Sequence, residues 1–165
     1  MAVVLPNGNA YFPGGCPGGC TGPAPNGTFC QDKQGGFYFT YSNTTWTSNS
    51  NGWVNAVSNM RASLPIAVAL SNDTVLVCGG GDASSTSNQP NCSIYNPASN
   101  TTSSGGNQAG NGSRVPPIRL VNGTVLLTYS DGGPGYVTYS GGTFTTQSTT
   151  LPAWNYPNLI ALADG

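Results

Sequence analysis

The side chains able to do chemistry are few. The 165-residue chain carries five cysteines (Cys16, Cys20, Cys30, Cys78, Cys92) and five aspartates (Asp32, Asp73, Asp82, Asp131, Asp164), with no glutamate and no histidine. Without an imidazole, none of the serines has the usual partner that turns a hydroxyl into a nucleophile. Asp73, Asp131 and Asp164 lie in "SND", "SDGG" and "ADG", runs in which Asp forms turns by hydrogen-bonding its own backbone. Asp82 follows three glycines and reads the same way. No cluster of oxygen ligands at calcium spacing occurs. "CPGGC" has no second half, so a zinc site is not expected. "GGCPGGCTG" lacks a lysine and introduces no helix, which excludes a phosphate loop. No catalytic residue, metal or other cofactor is expected.

What remains for the thiols is disulfide chemistry, which belongs to an oxidising compartment. Cys78 and Cys92 are 14 residues apart, and so are Cys16 and Cys30. In both pairs the first cysteine is next to a Gly-Gly. The favoured pairing is therefore Cys78–Cys92 with Cys16–Cys30 in an equivalent place, leaving Cys20 over; Cys20–Cys30 is the rival. Seven Asn-X-Ser/Thr sequons, at Asn26, Asn43, Asn72, Asn91, Asn100, Asn111 and Asn122, add a second secretory signature. About four would arise by chance in so Asn- and Ser/Thr-rich a chain. Most fall in loops, where N-linked glycans are tolerated. "MAVVLPNGNAYF" has no basic region and a short apolar run, so it is not a signal peptide; a secreted chain would begin here as a mature or internal segment.

Charge removes further partners. Four basic residues (Lys33, Arg61, Arg114, Arg119) in a chain of net charge -1 leave no footprint for nucleic acid. No apolar run approaches the roughly 20 residues of a membrane span.

The elements that hold these residues are strands. Gly and Pro number 24 and 13, helix formers are scarce, and Val, Thr, Tyr, Phe and Trp fill the apolar positions, so the class is all-β. One phrase recurs, with Leu5, Leu70, Leu120 and Leu162 standing 65, 50 and 42 residues apart. A first strand ends in a polar turn ("AVVLPNG", "IAVALSND", "PIRLVNG", "LIALADG") whose Asn-Gly, Asn-Asp or Asp-Gly supplies positive φ. A second strand follows ("NAYFP", "TVLVC", "TVLLTY"), then paired glycines at Gly14-Gly15, Gly79-Gly80 and Gly132-Gly133. After a variable loop comes an aromatic strand: "GFYFTYSN", "CSIYNPASN" or "GYVTYSGG". A fourth strand is traceable through "TTWTS" and "GWVNAV" in the first unit and "TFTTQS" in the third. Residues 16–35, 82–91 and 98–113 read as variable loops.

Arg61, the Leu70–Asp73 turn, "TVLVC", Gly79-Gly80 and "IYNP" at 94–97 make this pattern resemble the kelch repeat, as found in the propeller domains of galactose-oxidase and glyoxal-oxidase-like proteins. The resemblance implies antiparallel four-stranded blades forming part of a β-propeller: one blade over residues 1–60, a second over 61–113, a third over 114–155, and the first strand of a further one over 156–165. It implies that the paired glycines end strands where neighbouring blades crowd, and that Arg61 and Arg114 tie blades together. Three blades and one strand do not close a ring, so the rest of a longer chain or other copies of this one are expected to complete the assembly. The resemblance is incomplete, because the second unit lacks the usual late tryptophan.

Copper-radical oxidases sharing that propeller need histidine ligands, which this segment lacks. The functional expectation is a non-catalytic scaffold in an extracellular or cell-surface glycoprotein. One alternative is a piece of a secreted copper oxidase whose ligands lie outside this segment. Another is a binding module using the variable loops with Trp46, Trp53 or Trp154 to hold carbohydrate or protein.

Overall fold

The computed structural model describes residues 2–13, 36–40, 45–48, 66–78, 91–108, 116–128 and 136–147. Every regular element among them is a strand. The first sheet comprises β1 (Val3–Val4), β2 (Ala10–Pro13), β3 (Gly36–Thr40) and β4 (Thr45–Ser48). The second comprises β5 (Ile66–Ala69), β6 (Val75–Cys78), β7 (Asn91–Asn96) and β8 (Thr101–Asn107). The third comprises β9 (Ile118–Arg119), β10 (Val125–Thr128), β11 (Tyr136–Ser140) and β12 (Thr143–Gln147). Each strand pairs antiparallel with the next in the chain, giving three meanders of the same order. The all-β class expected from composition is the one observed, and its sheets are antiparallel.

One assignment needs correcting. β8 falls inside residues 98–113, which the sequence marks as a variable loop. "TTSSGGN" contains no large apolar residue because all but its fifth position, Gly105, are exposed or half-exposed. Backbone pairing to β7, which periodicity cannot register, holds it as a strand. The paired glycines at 14–15, 79–80 and 132–133, and the fourth unit at 156–165, lie outside the described residues.

Register repeats from sheet to sheet. One row of facing residues runs Val3, Tyr11, Tyr38, Thr47 across the first sheet and Val68, Leu76, Ile94, Ser103 across the second. In the third it runs Ile118, Leu126, Thr138, Thr145. We term this the leading row. The adjacent, trailing row runs Val4, Ala10, Phe39, Trp46; then Ala69, Val75, Tyr95, Thr102; then Arg119, Val125, Tyr139, Phe144. Successive residues of a strand point to opposite faces, so the two rows belong to opposite sides of each sheet.

Those sides pack in one sense. Val3, Leu5 and Tyr11 of the first sheet cluster with Ala67, Ala69, Val75, Val77 and Tyr95 of the second. Ile66, Val68, Leu76, Cys78 and Cys92 of the second cluster with Val125, Leu127, Val137 and Tyr139 of the third. The leading side of one sheet thus meets the trailing side of the next, twice. β5 and β6 are consequently buried at every position, "IAVA" and "VLVC" being apolar throughout. Burying a side chain such as Leu76 stabilises by about 1.5–3 kcal/mol. Tyr11 and Tyr95 stack across the first interface with ring centroids 4.7 Å apart. β1 approaches β5 and β5 approaches β9, so the first strands of the sheets lie side by side.

Candidate functional site

The hairpin turns that open the three sheets are built alike. At residues 5–9, 70–74 and 120–124 the backbone N–H of Leu5, Leu70 and Leu120 donates to the carbonyl of Asn9, Thr74 and Thr124, each at 2.8 Å. The fourth residue takes positive φ: Gly8 at 83°, Asp73 at 59° and Gly123 at 85°. Glycine adopts that region freely, and Asp is among the few other residues that tolerate it. The third residue is always asparagine, and its Oδ1 accepts from the residue two further on. Asn7 accepts from the Asn9 N–H at 3.0 Å, Asn122 from the Thr124 N–H at 3.0 Å, and Asn72 from the Thr74 hydroxyl at 2.6 Å.

Asp73 has a reason to be there. The Asn7 N–H of the neighbouring turn donates to its Oδ1 at 3.0 Å, linking the first and second sheets through their turns. A glycine could adopt the conformation but could not make that bond.

In the second and third sheets the same end carries one more short turn each. Gly141 and Gly142, at φ 57° and 85°, make a two-residue hairpin between β11 and β12. Between β7 and β8, Asn100 adopts φ 51° and accepts the Tyr95 hydroxyl at 3.0 Å. The described sequons therefore divide. Asn72 and Asn122 are exposed at turn tips, whereas Asn100 and Asn91 are half-buried. Asn26, Asn43 and Asn111 lie outside the described residues.

Cys78 and Cys92 face each other in register and are joined by a disulfide, with Cα atoms 4.1 Å apart. Its place has no counterpart in the other sheets. Pro13 opposes Gly36 at the corresponding position in the first, and Thr128 opposes Tyr136 in the third. Cys16 and Cys30, the other expected pair, fall between β2 and β3 in sequence. These two and Cys20 lie outside the described residues, as do Asp32, Asp82, Asp131, Asp164, Lys33, Arg61, Arg114, Trp53 and Trp154.

Next to the disulfide, β8 carries one residue more than β7 opposes, the shift falling between Cys92 and Ser93. The extra residue is Gly105. A Cβ there would come within 3.0 Å of both the Cys92 carbonyl carbon and Leu76 Cδ1. This is a glycine demanded by close approach, but the crowding comes from its own sheet. The sequence hides it because "SSGG" has the composition of a loop; a glycine pair one strand-length beyond the "YNPASN" turn is the available signal.

Acid–base capacity at these sites is small. Burial pushes the Tyr139 phenol above its ordinary value, which keeps it protonated. Among the described residues no group of three His, Cys, Asp or Glu side chains gathers as a metal would require. Among the described residues no helix is long and apolar enough to cross a membrane.

No protein-family model and no curated protein matches the chain. Among solved structures it is similar to the extracellular domain of a one-component system from B. thetaiotaomicron, with 10% sequence identity and a TM-score of 0.33. The match covers 97% of this chain and spans 23% of that one.

Proposed function

We propose that this chain is a structural segment of a secreted or cell-surface glycoprotein built on a kelch-like propeller, acting as scaffold and not as catalyst. The observation that carries this reading is the leading-to-trailing packing of successive four-stranded meanders in one register, with first strands side by side. That is how blades of a propeller follow one another. The Cys78–Cys92 disulfide and the exposed sequons at Asn72 and Asn122 support the extracellular part of the reading. The turn uses the asparagine in all three sheets, and at 72 and 122 a threonine two residues later completes a sequon. Absence of histidine from the sequence supports a non-catalytic role.

Intact mass of the chain secreted from eukaryotic cells tests this, measured before and after deglycosylation and after alkylation without reduction. A mass loss on deglycosylation, with Cys78 and Cys92 unalkylated, is expected. An unmodified chain with free thiols would overturn the secreted assignment.

A further inference from the structure

The middle sheet is covered on both sides, and each outer sheet is covered by it on one. Two faces are left. The leading row of the third sheet, Ile118, Leu126, Thr138 and Thr145, meets no sheet among the described residues, and neither does the trailing row of the first, which includes Val4 and Ala10. Val4 is 70% exposed although it lies in a strand.

We infer that these two faces bind each other between copies of this chain, the third sheet of one seating the first sheet of the next, head to tail. Each is one half of an interface the chain already makes twice. Ile118 and Leu126 hold the register positions of Val68 and Leu76, which pack on the third sheet, and of Val3 and Tyr11, which pack on the second. Val4, Ala10 and Phe39 hold those of Ala69, Val75 and Tyr95, which receive the first sheet. The second copy therefore continues an established mode of packing and needs no new geometry. Neither of these two rows contains a charge, so juxtaposing them buries no unpaired ion. The two faces differ, so the contact is heterologous: it builds open chains of copies, or a ring if the rotation closes. This stands whether or not the protein is secreted or glycosylated.

The test uses the oxidised 165-residue protein in sedimentation velocity from low to high micromolar concentration, with Val4→Lys and Thr145→Lys. Both residues are exposed, and unchanged circular dichroism establishes that the variants fold. The wild-type protein is expected to gain mass with concentration beyond a dimer. Each variant loses one of the two faces and is expected to stay monomeric alone. Mixed, the two keep one intact face each and are expected to stop at a dimer. A wild-type protein monomeric throughout, single variants that associate as the wild type does, or a mixture that stays monomeric would each overturn the inference.

Discussion

Between the first and second sheets, Tyr11 and Tyr95 stack in a cluster that includes Ala67 and Ala69. Between the second and third, Leu76 holds the place of Tyr11, and apart from Tyr139 the buried cluster is filled by branched aliphatics and a disulfide. Register is common to both interfaces, and volume is not. Where tyrosine gives way to leucine on the leading side, Val77 gives way to Leu127 at the equivalent trailing position. Backbone pairing fixes which positions meet, and side-chain size is settled locally, as close packing of an interior requires. The fastenings differ as well. The first interface has a turn-to-turn bond through Asp73, and the second has the Cys78–Cys92 bridge at its edge.

The largest effect should come from the aromatic side of this contrast. Tyr11→Ala removes a fully buried ring and its stacking on Tyr95, and is expected to cost about 3–5 kcal/mol in urea unfolding. Leu76→Ala, its counterpart, should fall toward the lower end of about 2–5 kcal/mol. If leucine proves the more costly, the tyrosine stack is not what secures the first interface. Next comes the bridge. Replacing both Cys78 and Cys92 with serine frees a 14-residue loop, and thermal melts should show a loss of about 3 kcal/mol.

Asp73 sharpens the comparison on a smaller scale. Asp73→Ala loses the bond from Asn7 and places a Cβ residue at positive φ with no local compensation, at a cost of about 1–2 kcal/mol. Asp73→Gly should be milder than alanine, because the conformation is free and only the bond is lost. The reverse order would show that conformation is not what the turn selects.

The smallest effect is electrostatic and confined to the second interface. Burial raises the Tyr139 phenol above its ordinary 10.0, so ionisation is easier once the chain unfolds. Its contribution to stability is complete below that value and is lost as pH rises past it. Urea midpoints from about pH 8 to about pH 11 should fall more steeply for the wild type than for Tyr139→Phe.

Much of this was legible in the sequence for definite reasons. The Leu-X-Asn-Gly/Asp turn announces itself because few residues tolerate positive φ, and it located the first two strands of every sheet. The aromatic third strands were equally plain. β8 was not, because an exposed strand of Thr, Ser and Gly has the composition of a loop and is defined by its partner's hydrogen bonds. Gly105 was hidden for the same reason: its need for a missing side chain arises from Leu76 and Cys92, remote in sequence. The cysteines show the limit of spacing arguments. Cys78 and Cys92 face each other because their 14-residue separation spans one hairpin connection, which spacing alone does not state.

The fixed sense of packing has a consequence for how such a chain can change over generations. A sheet that always offers one kind of side forward and the other kind backward can be duplicated or deleted in place, and its neighbours still find the surfaces they need. Stability then grows by nearest-neighbour increments, as in other modular arrays. The connections between the second and third strands differ in length from sheet to sheet, while the rows they join keep one register.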